Sequence, residues 1–305
     1  MRVAEVTEFG GPEVLRIGER PEPQPAAGEV VVRIAAANVN PSDIGARSGQ
    51  GRRRMPDLEP PFVPGWDLAG EVVSAEAATG YSPGDRVVGM IPWVRIGGRV
   101  GAYAAAAAVN PDWLAPLPDD VEHAVAATLP LNAMTARQGL DLIAALPGST
   151  LLVTGASGAV GGFATQLAAR DGLRVLAVAS TDDEEWVAGL GAAEVLPRST
   201  DLASLEPVDA VFDAVPLGPP AAAPLRDGGA VLFTRSPEDF ERAEKLRVET
   251  LLADSDPAAL RELAADLGAG RLRTRVAQTL DLAEAGEAHR LVEQGGLRGK
   301  IVLTT

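Results

Sequence analysis

The pattern of apolar and polar positions divides the chain into a β-rich beginning and an α/β middle. Short apolar segments such as Val30–Ile34 and Leu68–Val73 recur through residues 1–118, with proline and glycine closely spaced between them. Apolar runs bounded by turn residues are typical of strands. Residues 119–145 instead carry alanine and leucine at helical spacing, which predicts a helical segment.

From residue 151 onward, predicted strands alternate with predicted helices. The strands are 151–155, 174–179, 194–196, 208–213, 229–234 and 248–252, and the helices are 159–171 and 183–190. Such alternation is typical of a doubly wound parallel sheet. The chain then ends with a predicted strand over 272–280, a helix over 282–293 and a strand over 300–303. We therefore predict an α/β protein with a β-rich domain and a parallel-sheet domain.

A glycine-rich turn follows the first strand of the alternating region. Leu151–Gly162 reads L-L-V-T-G-A-S-G-A-V-G-G, with Gly155, Gly158 and Gly161 spaced by three residues. In a strand–turn–helix unit, such glycines permit the turn, let the backbone approach a phosphate, and allow close helix–strand packing. The helix N-terminus then faces the pyrophosphate of a dinucleotide. The turn predicts binding of NAD or NADP.

Composition excludes several classes of function. The 305 residues favour two domains, and the net charge of −15 disfavours nucleic acid and anionic membranes as partners. The chain has no cysteine and two histidines, which excludes disulfides and cysteine-ligated zinc and argues against a multi-histidine metal site. The N-terminus lacks an apolar signal core, and no long apolar run occurs, so we expect a cytoplasmic protein.

Several further segments appear in an order that resembles the quinone oxidoreductase branch of the medium-chain dehydrogenase/reductase superfamily, the zinc-independent, zeta-crystallin-like enzymes. They are Asn40-Pro41-Ser42-Asp43, Arg47-Ser48-Gly49, Pro64-Gly65-Trp66-Asp67-Leu68-Ala69-Gly70, Gly84-Asp85-Arg86-Val87, Gly101-Ala102-Tyr103-Ala104, Leu129-Pro130 with Thr135-Ala136, and Gly299-Lys300-Ile301-Val302-Leu303. Together with the glycine turn, they cover essentially the whole chain.

The resemblance implies a GroES-like β-rich substrate domain and a Rossmann domain inserted into it. We place the first domain at residues 1–118, completed by 259–305, and the second at 119–258. The resemblance also implies an active site in the cleft between the domains, NADPH as reductant and a homodimer. The candidate cofactor-binding residues are Thr135, Thr154, Gly155, Ala156, Ser157, Gly158, Ala159, Val160, Ser180, Thr181, Arg198, Val215, Phe233 and Lys300.

The sequence also indicates which acceptors are reduced. Pro64-Gly65-Trp66-Asp67 stands where zinc-dependent relatives carry Gly-His-Glu. Without a metal to polarise a carbonyl, a simple alkoxide is hard to stabilise. Hydride transfer then favours acceptors that delocalise their own charge, which are quinones and C=C bonds conjugated to a carbonyl.

Asn40, Asp43 and Arg47 are the candidate catalytic residues. The resemblance places Asn40 and Asp43 near the nicotinamide and the substrate carbonyl, whereas Asn-Pro-Ser-Asp is also a good turn and helix-cap sequence. Arg47 either donates to a developing enolate or pairs with Asp43. Lys300 either reaches the cleft or is solvated.

The preference between NADPH and NADH depends on the end of the second strand of the alternating region. Ser180 stands where NAD enzymes usually carry an acid, and a neutral side chain does not repel a 2′-phosphate. Asp183 replaces the family's usual lysine, and the acidic run 182–185 would repel a phosphate unless Arg198 compensates. These acids also suit a helix N-terminus. The balance favours NADPH.

Departures from the family leave alternatives open. The family's tyrosines after Asn-Pro-x-Asp are missing, and neither Tyr81 nor Tyr103 is well placed as a proton donor, so water is the expected proton source. We interpret His123 and His289 as structural. The basic run 52–54 either grips an anionic substrate such as a CoA thioester or forms a solvated loop. An enoyl-thioester reductase and a non-catalytic NADPH-binding sensor or structural protein are therefore the alternative functions.

Overall fold

The computed structural model describes residues 1–51, 55–235, 237 and 246–305. Their Cα positions form two compact units. Unit 1 comprises Met1–Leu131 and Asp254–Thr305, and unit 2 comprises Asn132–Ala253.

The elements of the described residues alternate much as the sequence predicts. The strands are β1 (Arg2–Val6), β2 (Leu15–Glu19), β3 (Val30–Asn38), β4 (Asp67–Ala75), β5 (Arg86–Met90), β6 (Ala106–Val109), β7 (Leu114–Pro116), β8 (Thr150–Thr154), β9 (Arg174–Ala179), β10 (Glu194–Pro197), β11 (Val208–Asp213), β12 (Leu225–Phe233), β13 (Arg247–Thr250), β14 (Val276–Asp281) and β15 (Lys300–Thr304). The α-helices are α1 (Pro41–Arg47), α2 (His123–Ala126), α3 (Pro130–Ile143), α4 (Ala159–Arg170), α5 (Glu184–Ala188), α6 (Pro257–Gly268) and α7 (Ala285–Gln294). Short 3-10 helices cover Pro12–Val14, Ala77–Thr79, Pro111–Trp113, Thr181–Asp183, Leu202–Ser204, Pro219–Ala222 and Leu282–Glu284.

Unit 1 is built on a mainly antiparallel sheet. Its strand order is β14-β15-β3-β4-β5-β7, with β6 also paired to β3, and β1 and β2 form a separate hairpin. Strand β3 is central and is buried at seven of its nine positions, with Ala35 half-buried and Arg33 exposed. Strand β15 comes from the end of the chain and pairs with β3, so the C-terminal segment completes the β-rich unit.

Unit 2 contains a six-stranded parallel sheet. Its strand order is β10-β9-β8-β11-β12-β13, so the strands, counted along the chain, lie in the order 3-2-1-4-5-6. This is the order of a dinucleotide-binding Rossmann sheet. Its central strands contain buried apolar runs such as residues 151–153 and 175–179, as expected for a sheet covered on both faces, and Leu152, Val211 and Val231 are buried in its core. The predicted doubly wound sheet is confirmed.

Several predicted bounds are wrong. The helical segment 119–145 is two helices, α2 and α3, because the chain turns at 127–129 and α3 restarts at a proline, which suits the first helical turn. The predicted strand 151–155 ends one residue earlier, because Gly155 adopts φ +62° and leaves the extended conformation. The strand predicted over 272–280 begins only at Val276.

Helix α6 was not predicted, although its start carries a clear signal. The Asp256 side chain accepts hydrogen bonds from the backbone N–H groups of Ala258 and Ala259, and Pro257 occupies the first helical position. An acidic N-cap followed by proline is a favourable helix start. Among the described residues, no helix has the length and apolar character needed to cross a membrane.

The limits of the compact units differ from the predicted domain limits. Helix α2 packs against β3 and β4, and α6 packs against β7, so both helices join the β-rich unit. The compact units therefore change at 131/132 and 253/254. The domain limits after residues 118 and 258 stay a prediction.

Candidate functional site

The glycine turn of unit 2 joins β8 to α4. Strand β8 ends at Thr154, Gly155 takes the left-handed φ of +62°, and Gly158 is the N-cap residue of α4. The Gly158 N–H closes the turn by donating to the Gly155 carbonyl at 2.9 Å. The sequence therefore places a strand, a tight turn and a helix start within ten residues.

Two of the glycines face different surroundings. A Cβ atom on Gly161 would lie 2.3 Å from the Gly155 carbonyl oxygen, so a larger residue there would clash with backbone. A Cβ atom on Gly158 would meet only that same oxygen, at 3.2 Å, and Gly158 is exposed. Gly161 therefore allows helix α4 to pack closely against the turn, whereas Gly158 leaves the turn open to a ligand.

The first turn of α4 offers free backbone donors. No side chain caps this helix at Gly158, and the N–H groups of Ala159 and Val160 precede the first intrahelical hydrogen bond, which the Gly162 N–H makes to Gly158. Such donors, together with the helix dipole, suit a phosphate group. The Ala156 N–H differs, because it donates to the Val178 carbonyl at 3.1 Å and acts only as part of the wall.

Asp213, which was not among the predicted site residues, accepts hydrogen bonds that hold this turn in place. Thr154 Oγ1 donates to Asp213 Oδ1 at 2.5 Å, and the Gly218 N–H donates to Asp213 Oδ2 at 3.0 Å. Burial raises the pKa of Asp213, and these hydrogen bonds oppose that rise. The available signal was an acid at the end of the buried strand Val208–Asp213, where a charge needs partners.

The segment after Asp213 lies against the glycine turn. A Cβ atom on Gly155 would be 2.5 Å from Cγ1 of Val215, so the two residues are in close contact. Val215 is 38% exposed, which leaves part of its side chain facing outward beside the turn. Phe233 is fully buried at the end of β12, and Thr135 lies inside α3, where it is half-buried.

The carboxyl ends of β9 and β10 place Ser180 beside Arg198. The two strands are parallel, and Pro197 pairs with Ala179, so the residues that follow them are neighbours. Ser180 is half-buried, whereas Thr181 and Arg198 are exposed. Asp183 is buried, so the acidic run 182–185 does not present all four of its side chains at the surface.

Unit 1 contains a buried hydrogen-bonded network around Asn40. The Asn38 amide donates to Asn40 Oδ1 at 3.0 Å and to Asp67 Oδ2 at 2.9 Å, and the Asn40 amide donates to Asp67 Oδ2 at 2.7 Å. The Leu131 N–H donates to the other carboxylate oxygen of Asp67. Burial raises the pKa of Asp67, and these donors oppose the rise. The network fixes the Asn40 side chain.

Asp43 closes the start of helix α1. Asn40 is the N-cap residue, Asp43 is the third helical residue, and Asp43 Oδ2 accepts the Asn40 N–H at 2.9 Å. Burial raises the pKa of Asp43 to about 8. The capping role is therefore realised, and the carboxyl group is fully buried.

Lys300 joins the network from strand β15. Its Nζ donates to Asn40 Oδ1 at 3.0 Å. Burial lowers the pKa of Lys300 to about 8, while the negative charges of Asp67 and Asp43 act in the opposite direction. The structure thus brings Lys300 to the start of helix α1, where it donates to Asn40, a residue 260 positions earlier in the chain.

Tyr103 and His289 pack behind Asp43. Tyr103 Oη lies 3.0 Å from His289 Nε2 and 3.5 Å from Asp43 Oδ2, and both side chains are fully buried. Burial raises the pKa of Tyr103 well above its usual value and lowers the pKa of His289 to about 3. Tyr103 therefore contacts a candidate catalytic residue, a contact that the spacing in the sequence did not reveal.

Arg47 does not pair with Asp43, which was one of the two roles that the sequence left open for it. Its Nη2 donates to the Glu293 carboxylate on α7, and the guanidinium is buried. Helix α1 turns Arg47 toward α7, with which it packs, so the nearer carboxylate is Glu293. Arg52, Arg53 and Arg54 lie outside the described residues.

The positions that carry zinc ligands in zinc-dependent relatives hold other residue types in this chain. Trp66 is buried and stacks edge-on against Trp93, and the Asp67 carboxylate is occupied by the hydrogen bonds described above. Across the described part of the chain, no cluster of three or more histidine or acidic side chains has the geometry of a metal site.

Comparisons with known proteins match both units. The model of the alcohol dehydrogenase GroES-like domain matches residues 26–119, and a model described as zinc-binding dehydrogenase matches residues 190–303. These matches and the parallel sheet confirm the predicted fold class, a GroES-like β-rich domain with a Rossmann domain.

Full-length relatives extend this agreement. Quinone-oxidoreductase QR1 of Triphysaria versicolor is 30% identical over 99% of this chain and 98% of its own length. An NADPH-dependent alkenal/one oxidoreductase of Arabidopsis thaliana is 32% identical over 74% of this chain, but the match spans only 60% of that protein. The solved quinone oxidoreductase of Coxiella burnetii superposes with a TM-score of 0.88 at 27% identity, covering 100% of this chain and 99% of its own. The chain belongs to the medium-chain dehydrogenase/reductase superfamily of oxidoreductases, within its quinone oxidoreductase branch.

Proposed function

We propose that the protein is an NADPH-dependent reductase of quinones or α,β-unsaturated carbonyls that works without a metal. The observation that carries this proposal is the open glycine turn, where exposed Gly158 precedes the uncapped start of α4. The names of the Triphysaria and Arabidopsis relatives support the acceptor class. When bound, NADPH supplies a hydride from C4 of its nicotinamide.

The residues of unit 2 suit a dinucleotide. The backbone N–H groups of Ala159 and Val160 would bind the pyrophosphate, because they lack intrahelical acceptors and lie at the positive end of the helix dipole. Thr154 and Asp213 would hold the turn in place, since their hydrogen bond joins β8 to β11. Val215 would form an apolar wall beside the turn. Thr135 and Ser157 complete the proposed contacts, and Phe233, which is fully buried at the end of β12, would support the site from within the sheet.

The end of β9 favours NADPH over NADH. Ser180 carries no charge, whereas an acid at this position would bind the ribose hydroxyls of NAD and repel the 2′-phosphate of NADP. Exposed Arg198 follows the residue paired with Ala179, so its guanidinium is available to a phosphate near Ser180.

The donor set in unit 1 supports chemistry without zinc. The chain has no cysteine, tryptophan occupies the position of a histidine ligand, and Asp67 already accepts three neutral donors. A catalytic zinc requires three available nitrogen, sulfur or carboxylate ligands. The chain is therefore suited to acceptors that spread negative charge over a conjugated system and need no metal to hold it.

Asn40, Asp43 and Arg47 act in this proposal as positioning residues. Each of these residues has at most 1% of its surface exposed, so none meets a reactant in this conformation. Asn40 instead holds Lys300, Asp43 holds the Asn40 backbone, and Arg47 ties α1 to α7 through Glu293. Catalysis would then depend mainly on bringing hydride donor and acceptor together beside fixed dipoles.

A turnover screen tests the proposed function. Purified protein is incubated with NADPH or NADH and with a simple quinone, an enone, an enoyl-CoA or a saturated alcohol, and nicotinamide oxidation state is followed by absorbance. We expect NADPH oxidation with the quinone or the enone, and no change after dialysis against EDTA. Activity confined to alcohols, or lost with EDTA and restored by zinc, would contradict the proposal. Tight NADPH binding without turnover of any acceptor would favour a sensor or structural role.

A further inference from the structure

The network around Asn40 contains one ionisable side chain that is not fully buried. Asn40, Asp43 and Asp67 each have at most 1% of their surface exposed. Lys300, whose Nζ donates to Asn40 Oδ1 at 3.0 Å, is only partly buried. Part of Lys300 is therefore accessible to a small reactant, whereas the carboxyl groups are enclosed.

Lysine is rare in this chain. Of 27 basic residues, only Lys245 and Lys300 are lysines, and arginine supplies all the others. Arginine keeps its proton at any physiological pH, whereas a partly buried lysine can release one. Lys245 lies outside the described residues, so Lys300 is the only lysine in the described part of the chain. An arginine at position 300 would supply the same positive charge, so charge alone does not account for the lysine.

The surroundings of Lys300 bring its pKa closer to neutrality than that of an ordinary lysine. Burial lowers its pKa to about 8, and the carboxyl groups that face it, Asp67 from β4 and Asp43 from α1, oppose this shift. Burial also raises the pKa of Asp43 to about 8, and the positive charge of Lys300 opposes that rise. Tyr103 and His289 lie behind Asp43 with pKa values displaced well outside this range.

We propose that Lys300 is the proton donor to the reduced acceptor and that Asn40 is the residue that positions its Nζ. This inference rests on the proposed function. When the β-carbon of an enone accepts a hydride from NADPH, the π electrons of its C=C bond form a new double bond to the carbonyl carbon, and the π electrons of the carbonyl move onto its oxygen, which gives an enolate. One N–H bond of the Lys300 ammonium breaks, and its proton bonds to that oxygen. The electron pair of the broken bond stays on the amine, which solvent reprotonates, and the enol tautomerises in water.

The two acceptor classes differ in how much they need this proton. An enolate concentrates charge on one oxygen and one carbon, so a donor that acts as the charge develops lowers the barrier substantially. A hydroquinone anion is aromatic and stable enough to take its proton from water afterwards. Loss of the Lys300 proton is therefore expected to affect enone reduction much more than quinone reduction.

Nuclear magnetic resonance of methylated amines tests the ionisation without any coenzyme. Reductive methylation with ¹³C-formaldehyde labels only Lys245, Lys300 and the N-terminus, and Lys300→Arg assigns the Lys300 signal by its loss. We expect one lysine signal to titrate near pH 8, and to titrate at still lower pH in Asn40→Ala, because that variant removes an acceptor of the ammonium group. Failure of Lys300 to react with formaldehyde, or an ordinary lysine titration, would overturn the proposal.

Steady-state kinetics test the donation step. Lys300→Met is expected to lower kcat/KM for an enone at least 100-fold and for a quinone less than fivefold, because general acid catalysis contributes about 10²–10⁴-fold. Lys300→Arg keeps the positive charge, but a guanidinium does not release a proton near neutral pH. Its kcat/KM for enones should therefore stay at least tenfold below that of wild type. The wild-type enone rate should fall above pH 8; this fall should move to lower pH in Asp43→Asn, which removes a charge that raises the pKa of Lys300, and should disappear in Lys300→Arg.

The outcomes separate the two proposals. Equal losses with enone and quinone in Lys300→Met, or full enone activity in Lys300→Arg, would overturn the donor role and leave the reductase function intact. Wild-type protein that reduces neither acceptor would instead refute the proposed function, whatever the titration of Lys300 shows.

Discussion

Thr154 and Asp213 connect the carboxyl ends of the two central strands of the parallel sheet. Thr154 Oγ1 on β8 donates to Asp213 Oδ1 on β11 at 2.5 Å, and Asp213 also accepts the Gly218 N–H. The glycine turn begins directly after Thr154, and the segment carrying Val215 begins directly after Asp213. One buried carboxylate therefore fixes both edges of the proposed coenzyme site.

We expect Asp213→Ala to weaken coenzyme binding about tenfold. The substitution frees Thr154 Oγ1 and the Gly218 N–H, and leaving buried polar groups unpaired costs about 1–3 kcal/mol each. Val215 would then move relative to Gly155. Fluorescence titration with NADPH measures the Kd, and thermal unfolding measures the lost stability.

Asp209→Ala provides a matched control for this prediction. Asp209 lies on the same strand near its opposite end, where it accepts the Thr150 N–H and pairs with Arg226. Its loss should reduce stability but leave the Kd for NADPH unchanged. Equal weakening of NADPH binding by both substitutions would show that Asp213 acts only through general stability.

Gly158→Asp should abolish coenzyme binding in a protein that remains folded. Aspartate is a good N-cap residue, and Gly158 is exposed with only one backbone oxygen near its Cβ position, so the helix gains a cap without a clash. The carboxylate would repel the pyrophosphate from the helix start. The expected result is an unchanged or slightly raised Tm with no measurable NADPH binding.

Gly161→Ala gives the opposite pattern and serves as the comparison. Its Cβ atom would meet the Gly155 carbonyl at 2.3 Å, so the helix and the turn must separate. We expect a clear fall in Tm together with lost binding. If Gly158→Asp still bound NADPH with wild-type affinity, the phosphate site would have to lie elsewhere.

Arg198→Ala should change the coenzyme preference. Removing the exposed guanidinium beside Ser180 should raise KM for NADPH about tenfold, because a charge-assisted contact to phosphate contributes about 1.5–3 kcal/mol when partly desolvated. The KM for NADH should change less than twofold. Arg174→Ala, which removes an exposed charge at the other end of β9, is the control and should affect neither coenzyme selectively.

The sequence predicts the unit 2 site more completely than the network of unit 1. Gly155 and Gly158 occupy the predicted places because strand, turn and helix are consecutive, so local patterns determine their geometry. Asn40 and Lys300, by contrast, meet because β15 pairs with β3, a contact between residues 260 positions apart. The partnership of Tyr103 with His289 also depends on long-range packing, so motif spacing does not reveal it.

Helix α6 shows a different kind of omission. Its N-cap signal, Asp256 before Pro257, is present in the sequence. It lies at the predicted domain limit after residue 258, where the pattern of alternating strands and helices ends. The pairing of Arg47 with Glu293 instead of Asp43 could not be predicted for a different reason. Which of two carboxylates a buried arginine chooses depends on how α1 packs against α7, and hydrophobic periodicity carries no information on that choice.

The buried histidine of unit 1 predicts how stability depends on pH. The pKa of His289 is about 3 in the folded protein because burial disfavours its charged form, whereas an unfolded histidine has a pKa of 6.5. Between these values the unfolded chain binds the extra proton, so stability rises with pH through this window and is fully regained above about pH 7. Lowering the pH from 7 to 5 should therefore cost the folded state about 2 kcal/mol from this residue alone.

Urea unfolding of His289→Gln at pH 5 and pH 7 isolates this contribution. Glutamine can still accept the Tyr103 hydroxyl, but it does not titrate, so the variant should lose about 2 kcal/mol less than wild type over the same change. His123→Gln is the matched control, since burial lowers the pKa of His123 as well but its side chain is only partly buried. It should shift the pH dependence much less. An identical pH dependence in wild type and His289→Gln would mean that His289 is charged in the folded protein, and its proton would then have to be shared with Tyr103 or Asp43.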